Sequence, residues 1–229
     1  MLYIVATPIG NLDDLSIRQA KTLTSSDIIL AEDTRSAHVI LDACSSRFNL
    51  KAKDNVKIIS YYKEKEFEKL PEVIDALKEG KIVSLTTDSG LPLISDPGYL
   101  LVKTVIKTNL PFTVIPGATA ITTALVHSGF NPKNFMFLGF LPKKTSEILR
   151  LIDRSKKINE ILPETVFIFY ESPNRINNTL KIFSETLPNS EVCICRELTK
   201  KFEEIIRSKP IDLLNTKFKG ELTLVLKLN

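Results

Sequence analysis

Short apolar runs alternate with helical patterns through the first half of the chain, and this alternation limits the possible fold. Four runs have the composition of strands: "LYIVAT", "DIILAE", "VKIISYY" and "KIVSLT". Each is followed by a stretch whose apolar residues recur near helical spacing. Apolar strands separated by helices are typical of a parallel sheet that is covered on both faces. The sequence therefore predicts an α/β fold. Within the third helical stretch, we expect Pro71 to start a fresh helix, because proline cannot donate a main-chain hydrogen bond.

The second half of the chain predicts a different sheet. We place the domain boundary after the strand in "PFTVIPG", which gives an N-terminal α/β domain of residues 1–115 and a C-terminal α/β domain of residues 116–229. The strand patterns "EVCICREL" and "FEEIIRSK" follow one another with no helix between them. Such a connection requires an antiparallel step, so the C-terminal sheet is expected to be mixed.

Composition narrows the class of protein. The chain has 229 residues, 43% hydrophobic and 25% charged, with a net charge of +4, which is ordinary for a globular protein. No apolar stretch approaches the roughly 18 residues of a membrane span. Cys193 and Cys195 alternate along one strand, and His38 and His127 lie far from them, so no zinc-binding spacing is present. Three cysteines also suit a reducing compartment. We expect a cytoplasmic protein that has neither a membrane span nor a metal site.

The segment "TTDSGLPLISDPG", residues 86–98, is the most unusual connection. It follows a strand, at the position where open α/β sheets bind ligands. We expect Asp96 to cap the next helix and Pro97 to be its first residue, which would leave a helix N-terminus free to attract an anion. Nucleotide phosphate fingerprints are absent from the chain. A ligand with a carboxylate, an amine and a flat base fits better, with Leu91, Leu93 and Ile94 against the base.

Charged residues follow other predicted strands as well. Because such positions meet at one edge of a sheet, they are expected to gather around a cleft. For any single pair among them, a surface ion pair or a helix cap is the more ordinary explanation, but this explanation is less satisfactory for all of them together. The candidates are Glu32, Asp33, Arg35, Glu171, Arg175, Arg196 and Glu197.

Several of these segments occur together in one known family. The segments "LYIVATPIGNLDDLS", "LAEDTR", "DSGLPLISDPGYLLV", "VIPGATAITTAL", "FLGFLPKK", "FIFYESPNRI" and "CRELTKKFEE" stand in that family's order. The chain thereby resembles the ribosomal RNA small-subunit methyltransferase I family of the tetrapyrrole-methylase superfamily. The resemblance implies two α/β domains with S-adenosylmethionine in a cleft between them, and commonly a homodimer. It further implies 2′-O-methylation of a cytidine ribose in 16S rRNA of the small ribosomal subunit.

The resemblance also assigns residues. Those expected to contact the cofactor are Gly90, Leu91, Pro92, Leu93, Ser95, Thr119, Ala120, Tyr170, Leu198, Gly220 and Glu221. A carboxylate is expected to act as general base, with Glu32, Asp33, Glu171 and Glu197 as candidates. The arginines Arg35, Arg175 and Arg196 are expected to orient these acids or to grip phosphate. The lysine pairs at 143–144, 156–157 and 200–201 are candidates for contact with RNA.

Two alternatives remain open at this stage. A small-molecule methyltransferase acting on a tetrapyrrole would belong to the same superfamily. A non-catalytic module that binds S-adenosylmethionine and docks a partner would also account for the loops.

Overall fold

The structure, a computed structural model, describes residues 1–229 as two compact units, Met1–Thr119 and Ala120–Asn229. The predicted boundary, between residues 115 and 116, falls at the end of the last strand of the first unit. None of the helices combines the length and apolarity that crossing a bilayer requires.

The first unit is built on a parallel five-stranded sheet. The strand order is β3-β2-β4-β1-β5, and every neighbouring pair is parallel, as predicted. A short 3₁₀ turn precedes the first helix. The elements are β1 Leu2–Val5, α1 Ile17–Thr24, β2 Ile28–Ala31, α2 Thr34–Phe48, β3 Lys57–Ser60, α3 Lys63–Lys78, β4 Val83–Leu85, α4 Tyr99–Lys107 and β5 Phe112–Ile115.

Helices cover both faces of this sheet. Successive side chains of a strand point to opposite faces. Leu2 and Ile4 of β1 therefore pack with Leu101 of α4 on one face. Val5 packs with Leu23 of α1 on the other, where α2 also lies. Burial on both faces explains why the strands are continuous apolar runs.

The second unit contains a mixed five-stranded sheet, in the order β6-β7-β10-β8-β9. Only β6 and β7 are parallel, and β8 pairs antiparallel with β9, which confirms the predicted antiparallel step. A 3₁₀ turn at Pro210–Leu213 precedes the last strand. The elements are α5 Ala120–Ser128, β6 Phe135–Phe140, α6 Thr145–Ile161, β7 Val166–Glu171, α7 Ile176–Thr186, β8 Glu191–Arg196, β9 Glu204–Ser208 and β10 Leu222–Lys227.

The prediction that Pro71 starts a new helix is wrong, because α3 runs through it. Proline at this position removes the hydrogen bond to the carbonyl of Phe67, four residues earlier. Both residues lie on the exposed side of α3, where the Phe67 side chain is 79% exposed. Water can therefore satisfy that carbonyl, and the buried face of α3 holds the helix together.

Replacing Pro71 with alanine should stabilise the protein. The substitution restores one helical hydrogen bond and removes the steric conflict of the ring, so the free energy of unfolding should rise by about 1–3 kcal/mol. Urea denaturation measures the change. Glu68→Ala, on the same exposed helix, should alter stability by less than about 0.5 kcal/mol. A destabilised Pro71→Ala variant would contradict this account of α3.

Candidate functional site

The sheet of the first unit has a topological switch between β1 and β4. These strands are neighbours, but β1 leads to α1 on one face and β4 leads to α4 on the opposite face. Their connections diverge and leave a crevice at the carboxyl ends of the strands. Ligands of open α/β sheets bind at such a crevice. The 86–98 loop is one of its walls.

Thr7 links the two connections at this crevice. Its main-chain N–H donates to the Gly90 carbonyl at 2.8 Å. Its hydroxyl donates to the carbonyl of Thr87 at 3.1 Å. Thr7 is buried, so these bonds are shielded from water. The start of the 86–98 loop is therefore attached to the end of β1.

Gln19 attaches a third connection to the same edge. Its side-chain amide donates to the carbonyls of Ala6, at 2.9 Å, and Pro116, at 3.2 Å. Gly117 is required beside it, since a Cβ there would overlap the Gln19 amide and Ala6. Gln19 was not among the predicted site residues. Its sequence signal is the pattern Ser16-x-x-Gln19, a capping box that also holds the start of α1.

The expected cap of α4 by Asp96 and Pro97 is wrong. The helix starts at Tyr99, and Gly98 is its N-cap with φ of 123°. A Cβ at position 98 would come within 2.5 Å of a Leu85 methyl group. The close approach and the positive φ both require glycine, and they delay the helix by two residues.

Glu66 of α3 occupies the N-terminus of α4 instead. Its Oε1 accepts hydrogen bonds from the main-chain N–H groups of Leu100, at 2.9 Å, and Leu101, at 3.2 Å. Glu66 is only 8% exposed. A carboxylate at a helix N-terminus is favoured by the helix dipole. The chain itself supplies the anion that this helix end was expected to attract from a ligand.

The middle of the 86–98 loop divides between core and solvent. Leu91 and Leu93 are partly buried and pack against the apolar core beneath α3 and α4. Pro92 is buried, whereas Ile94 and Ser95 are exposed. Of the three apolar side chains expected to contact a base, Ile94 is the most exposed, at 39%.

Three carboxylates surround Thr87 at this edge. The Thr87 hydroxyl donates to Glu32 Oε2 at 3.2 Å. Burial raises the pKa of Glu32, and the nearby charge of Asp88 adds to the effect. Burial likewise raises the pKa of Asp96 to about 6, reinforced by the charges of Glu32 and Asp88. Such acids suit a ligand that brings positive charge or hydroxyl groups. Asp96 was considered only as a helix cap, so its role in this cluster was missed.

Asp33 and Arg35 lie at the start of α2 and stabilise it. Asp33 Oδ1 accepts from the Arg35 main-chain N–H at 2.8 Å, and the Arg35 guanidinium lies 2.5 Å from Asp33 Oδ2. These bonds lower the pKa of Asp33. The pair is a helix cap closed by an ion pair, with the Arg35 side chain 90% exposed.

The predicted residues of the second unit share one edge of its sheet. Leu222, at the start of β10, lies opposite Glu171 at the end of β7 and opposite Arg196 at the end of β8. Residues beside these three positions therefore converge. They are Tyr170, Glu171, Arg196, Glu197, Leu198, Gly220 and Glu221.

Glu171 is enclosed by its own partners. Its carboxylate accepts from the Ser172 main-chain N–H at 2.7 Å and from the Thr179 hydroxyl at 2.7 Å. The Arg175 guanidinium lies 2.5 Å from Oε1 and also donates to the Leu141 carbonyl at 3.1 Å. The Glu171 side chain is 1% exposed. Glu171 and Arg175 thus join the end of β7 to α7 and to the connection after β6.

The Glu197 carboxylate is also held by hydrogen bonds within the chain. Its Oε1 accepts from the Glu221 main-chain N–H at 2.8 Å and from Lys200 at 3.3 Å, and the first of these bonds contributes most to lowering the Glu197 pKa. Gly220 packs directly on this carboxylate and leaves no room for a Cβ. Lys200 also pairs with the Glu221 carboxylate at 2.8 Å. The group joins the connection after β8 to the start of β10.

The remaining predicted residues have varied surroundings. Arg196 donates to the carbonyls of Lys219 and Phe202, at 2.6 and 3.0 Å, which holds two connections together. Leu198 is buried. Tyr170 packs edge-on against Phe137 and Phe140, with ring centroids 4.9 and 5.4 Å away. Thr119 is the last residue of the first unit, and Ala120 is the first residue of α5.

Comparison with known proteins supports this topology. Residues 1–213 match the family model described as "Tetrapyrrole (Corrin/Porphyrin) Methylases". The solved structure of the methyltransferase CobJ has a TM-score of 0.71 at 13% identity, covering 99% of this chain and 93% of that one. At that identity the likeness shows the fold alone.

Two curated relatives are much more similar in sequence. One from Hydrogenobaculum sp. (strain Y04AAS1) is 40% identical, covering 98% of this chain and 94% of the relative. One from Thermotoga maritima is 38% identical, covering 98% and 97%. Both are named "Ribosomal RNA small subunit methyltransferase I".

Stability should depend on Asp96 as pH changes. The pKa of Asp96 is raised in the folded state, so folding favours its protonated form. Stability is therefore lost as pH rises from the unfolded value near 4 through about 6. Asp96→Asn should be more stable than the wild type at pH 7.5 by roughly 1 kcal/mol, a value that allows for solvent screening.

Urea unfolding between pH 4 and 8 measures this difference. The advantage of Asp96→Asn should shrink toward pH 4, where the wild-type carboxyl is also neutral. Asp33→Asn should show the opposite sign. Because the pKa of Asp33 is lowered in the folded state, this variant should be less stable than the wild type at neutral pH, and the difference should shrink as the pH falls. A constant difference between Asp96→Asn and the wild type at all pH values would contradict the prediction.

The cap on α4 makes a second prediction. Glu66→Leu removes the acceptor of one buried and one partly buried hydrogen bond and should lower the free energy of unfolding by about 2–3 kcal/mol. Glu66→Gln keeps an amide oxygen that can accept the same bonds, so its loss should be below about 1.5 kcal/mol. Urea denaturation compares the two variants. If Glu66→Leu and Glu66→Gln lowered the free energy of unfolding by the same amount, the hydrogen bonds accepted by Glu66 would contribute little to stability.

Proposed function

Since the chain belongs to the ribosomal RNA small subunit methyltransferase I family of tetrapyrrole methylases, and is a methyltransferase, we propose that it methylates the ribose 2′-hydroxyl of a cytidine in 16S rRNA with S-adenosylmethionine as donor. The observation that carries this proposal is the 40% identity to the Hydrogenobaculum relative over nearly the full length of both chains. Similarity of that extent spans both units, including every loop of the candidate site.

The residues of the first unit fit S-adenosylmethionine chemically. This donor carries a positively charged sulfonium and ammonium, together with ribose hydroxyls. The carboxylates of Glu32, Asp88 and Asp96 lie together at the crevice, and charges of like sign beside each other favour a cationic ligand. The absence of phosphate-binding lysine or glycine patterns agrees with a donor that has no phosphate.

The proposed contacts of the donor follow the family resemblance. In the 86–98 loop they are Gly90, Leu91, Pro92, Leu93 and Ser95, with Leu91 and Leu93 acting through their main chain because their side chains pack into the core. The other proposed contacts are Thr119, Ala120, Tyr170, Leu198, Gly220 and Glu221.

Bound S-adenosylmethionine supplies a methyl group that its sulfonium already activates. The main tasks left to the chain are to hold the acceptor hydroxyl in line and to take up its proton. Among the four candidate bases we propose Glu32, because burial raises its pKa toward neutrality. Asp33 is bound to Arg35, and Glu171 and Glu197 are enclosed by their hydrogen-bond donors. These three acids therefore hold loops in place.

A methyl-transfer assay tests the function directly. The purified chain is incubated with tritiated S-adenosylmethionine and one of three acceptors: intact small ribosomal subunits, naked 16S rRNA or a precursor corrin. Label at a cytidine ribose is expected, in subunits or naked rRNA. Label in the corrin would favour the small-molecule alternative. Cofactor binding without transfer to any acceptor would favour the non-catalytic alternative.

Glu32→Gln tests the proposed base. The variant should bind S-adenosylmethionine within a few-fold of the wild type, whereas kcat should fall by roughly 10²–10⁴-fold. The fall of kcat at acidic pH should also disappear, because the glutamine cannot be protonated in place of the Glu32 carboxylate. Asp88→Asn is the matched variant: it removes a charge that raises the pKa of Glu32, so the acid limb of the kcat–pH profile should move to lower pH.

Glu171→Gln separates catalysis from structure. Because Glu171 is buried among three donors, this variant should lose stability and leave the pH of the acid limb unchanged. A loss of the acid limb in Glu171→Gln, with Glu32→Gln fully active, would reverse the assignment.

We also propose a cytoplasmic homodimer. The β5 strand lies at the edge of its sheet and exposes Phe112 and Val114, at 38% and 43%. Ile106 of α4 is also exposed. Exposed apolar side chains beside an unpaired strand edge suit a subunit contact. Light scattering should give twice the mass of one chain, and Val114→Lys should give the monomer mass.

A further inference from the structure

Three basic side chains form a line along the outer side of α6. Arg150, Arg154 and Lys157 are spaced by four and three residues, so they lie on one side of the helix. All three are exposed. The buried side chains of α6 lie on the opposite side: Ile148, Ile152 and Ser155. The line, named here the α6 ridge, therefore points away from the second unit into solvent.

The cations of the α6 ridge are free of ion pairs, since none of them lies within 4.0 Å of a carboxylate oxygen. Three acids of α6 lie within helical reach of these cations: Glu147 is paired with Lys144 at 3.7 Å, and Asp153 and Glu160 form no ion pair. Elsewhere, two lysines predicted to contact RNA are engaged within the chain. Lys200 pairs with two carboxylates, and Lys156 donates to the Thr186 carbonyl.

The α6 ridge starts at the edge of the sheet that carries the candidate residues of the second unit. The strands β6 and β7 are parallel, and Phe140 lies beside Tyr170 in their register. The connection from β6 to α6 therefore leaves from the same edge as Glu171. Lys143 and Lys144 lie in this connection and are exposed. Because α6 joins the end of β6 to the start of the parallel strand β7, it returns along the sheet, and its three cations extend away from this edge over about 10 Å, at 1.5 Å per residue.

We propose that the α6 ridge binds the phosphate backbone of the RNA that carries the methyl acceptor. This inference rests on the proposed function and names the surface that the RNA uses. Guanidinium groups match phosphate geometry, and unpaired cations release counterions from RNA when they bind. Arg150, Arg154 and Lys157 have no aromatic side chain between them to stack on bases. The contact is therefore one that positions the RNA and does not read its sequence.

The test compares RNA affinity at several salt concentrations. The ridge variant carries Arg150→Gln, Arg154→Gln and Lys157→Gln. The matched control carries Lys51→Gln, Lys107→Gln and Lys181→Gln, which remove the same charge from exposed positions outside ion pairs. Dissociation constants for naked 16S rRNA are measured between 50 and 200 mM salt.

The ridge variant should bind RNA at least about tenfold more weakly at low salt. The slope of log K against log salt should become shallower by about 2–3, since each phosphate contact contributes roughly 0.7–0.9. The control variant should change both quantities much less. Binding of S-adenosylmethionine and the melting temperature should stay at wild-type values in both variants.

Two results would overturn the proposal while leaving the function intact. One is a wild-type enzyme that methylates rRNA together with a ridge variant whose salt slope is unchanged. The other is a ridge variant that binds naked rRNA normally and loses activity only on assembled subunits, which would assign the α6 ridge to a ribosomal protein. A wild-type chain that methylates no RNA would instead refute the proposed function.

Discussion

The hydrogen bond from Thr7 to the Gly90 carbonyl is the interaction on which the candidate site depends. It joins the ends of β1 and β4, the two neighbouring strands whose following helices lie on opposite faces of the sheet. Gln19 extends the link to the end of β5. Three connections that are far apart in sequence are thereby held at one edge. The crevice between them does not require a ligand to give it shape, because buried hydrogen bonds within the chain already do so.

Most of the charged candidate residues, in either unit, stabilise the fold. Glu66 caps α4, Asp33 caps α2, and Glu171 ties β7 to α7. Each of these carboxylates accepts at least two hydrogen bonds from donors of the chain. Glu32 and Asp96 differ, since burial raises the pKa of each and like charges lie beside them. Unfavourable placement of this kind is common where a ligand or a proton is to be received.

The fold leaves the choice of acceptor open. The methyltransferase CobJ shares the fold at 13% identity, and a fold by itself does not fix what an enzyme acts on. What distinguishes this chain has to lie in its surfaces. The α6 ridge is such a surface, with cations that the chain does not neutralise. Its function is proposed from charge and position, both of which are independent of the donor site.

Local sequence patterns determined the element types, the parallel first sheet and the antiparallel step of the second, because apolar periodicity reflects burial directly. Motif resemblance determined the family. The tertiary structure alone decided which charged side chains are free to receive a ligand or a proton. Asp96 and Pro97 have the local chemistry of a helix cap, yet packing of Gly98 on Leu85 displaced the start of α4, and Glu66 from another helix took the capping role. Glu171 and Glu32 both follow apolar strands in the sequence. Only the neighbours brought by the fold enclose Glu171 among donors and leave Glu32 beside Asp88, because a carboxylate's protonation depends on nearby charges and burial rather than on its position in the chain.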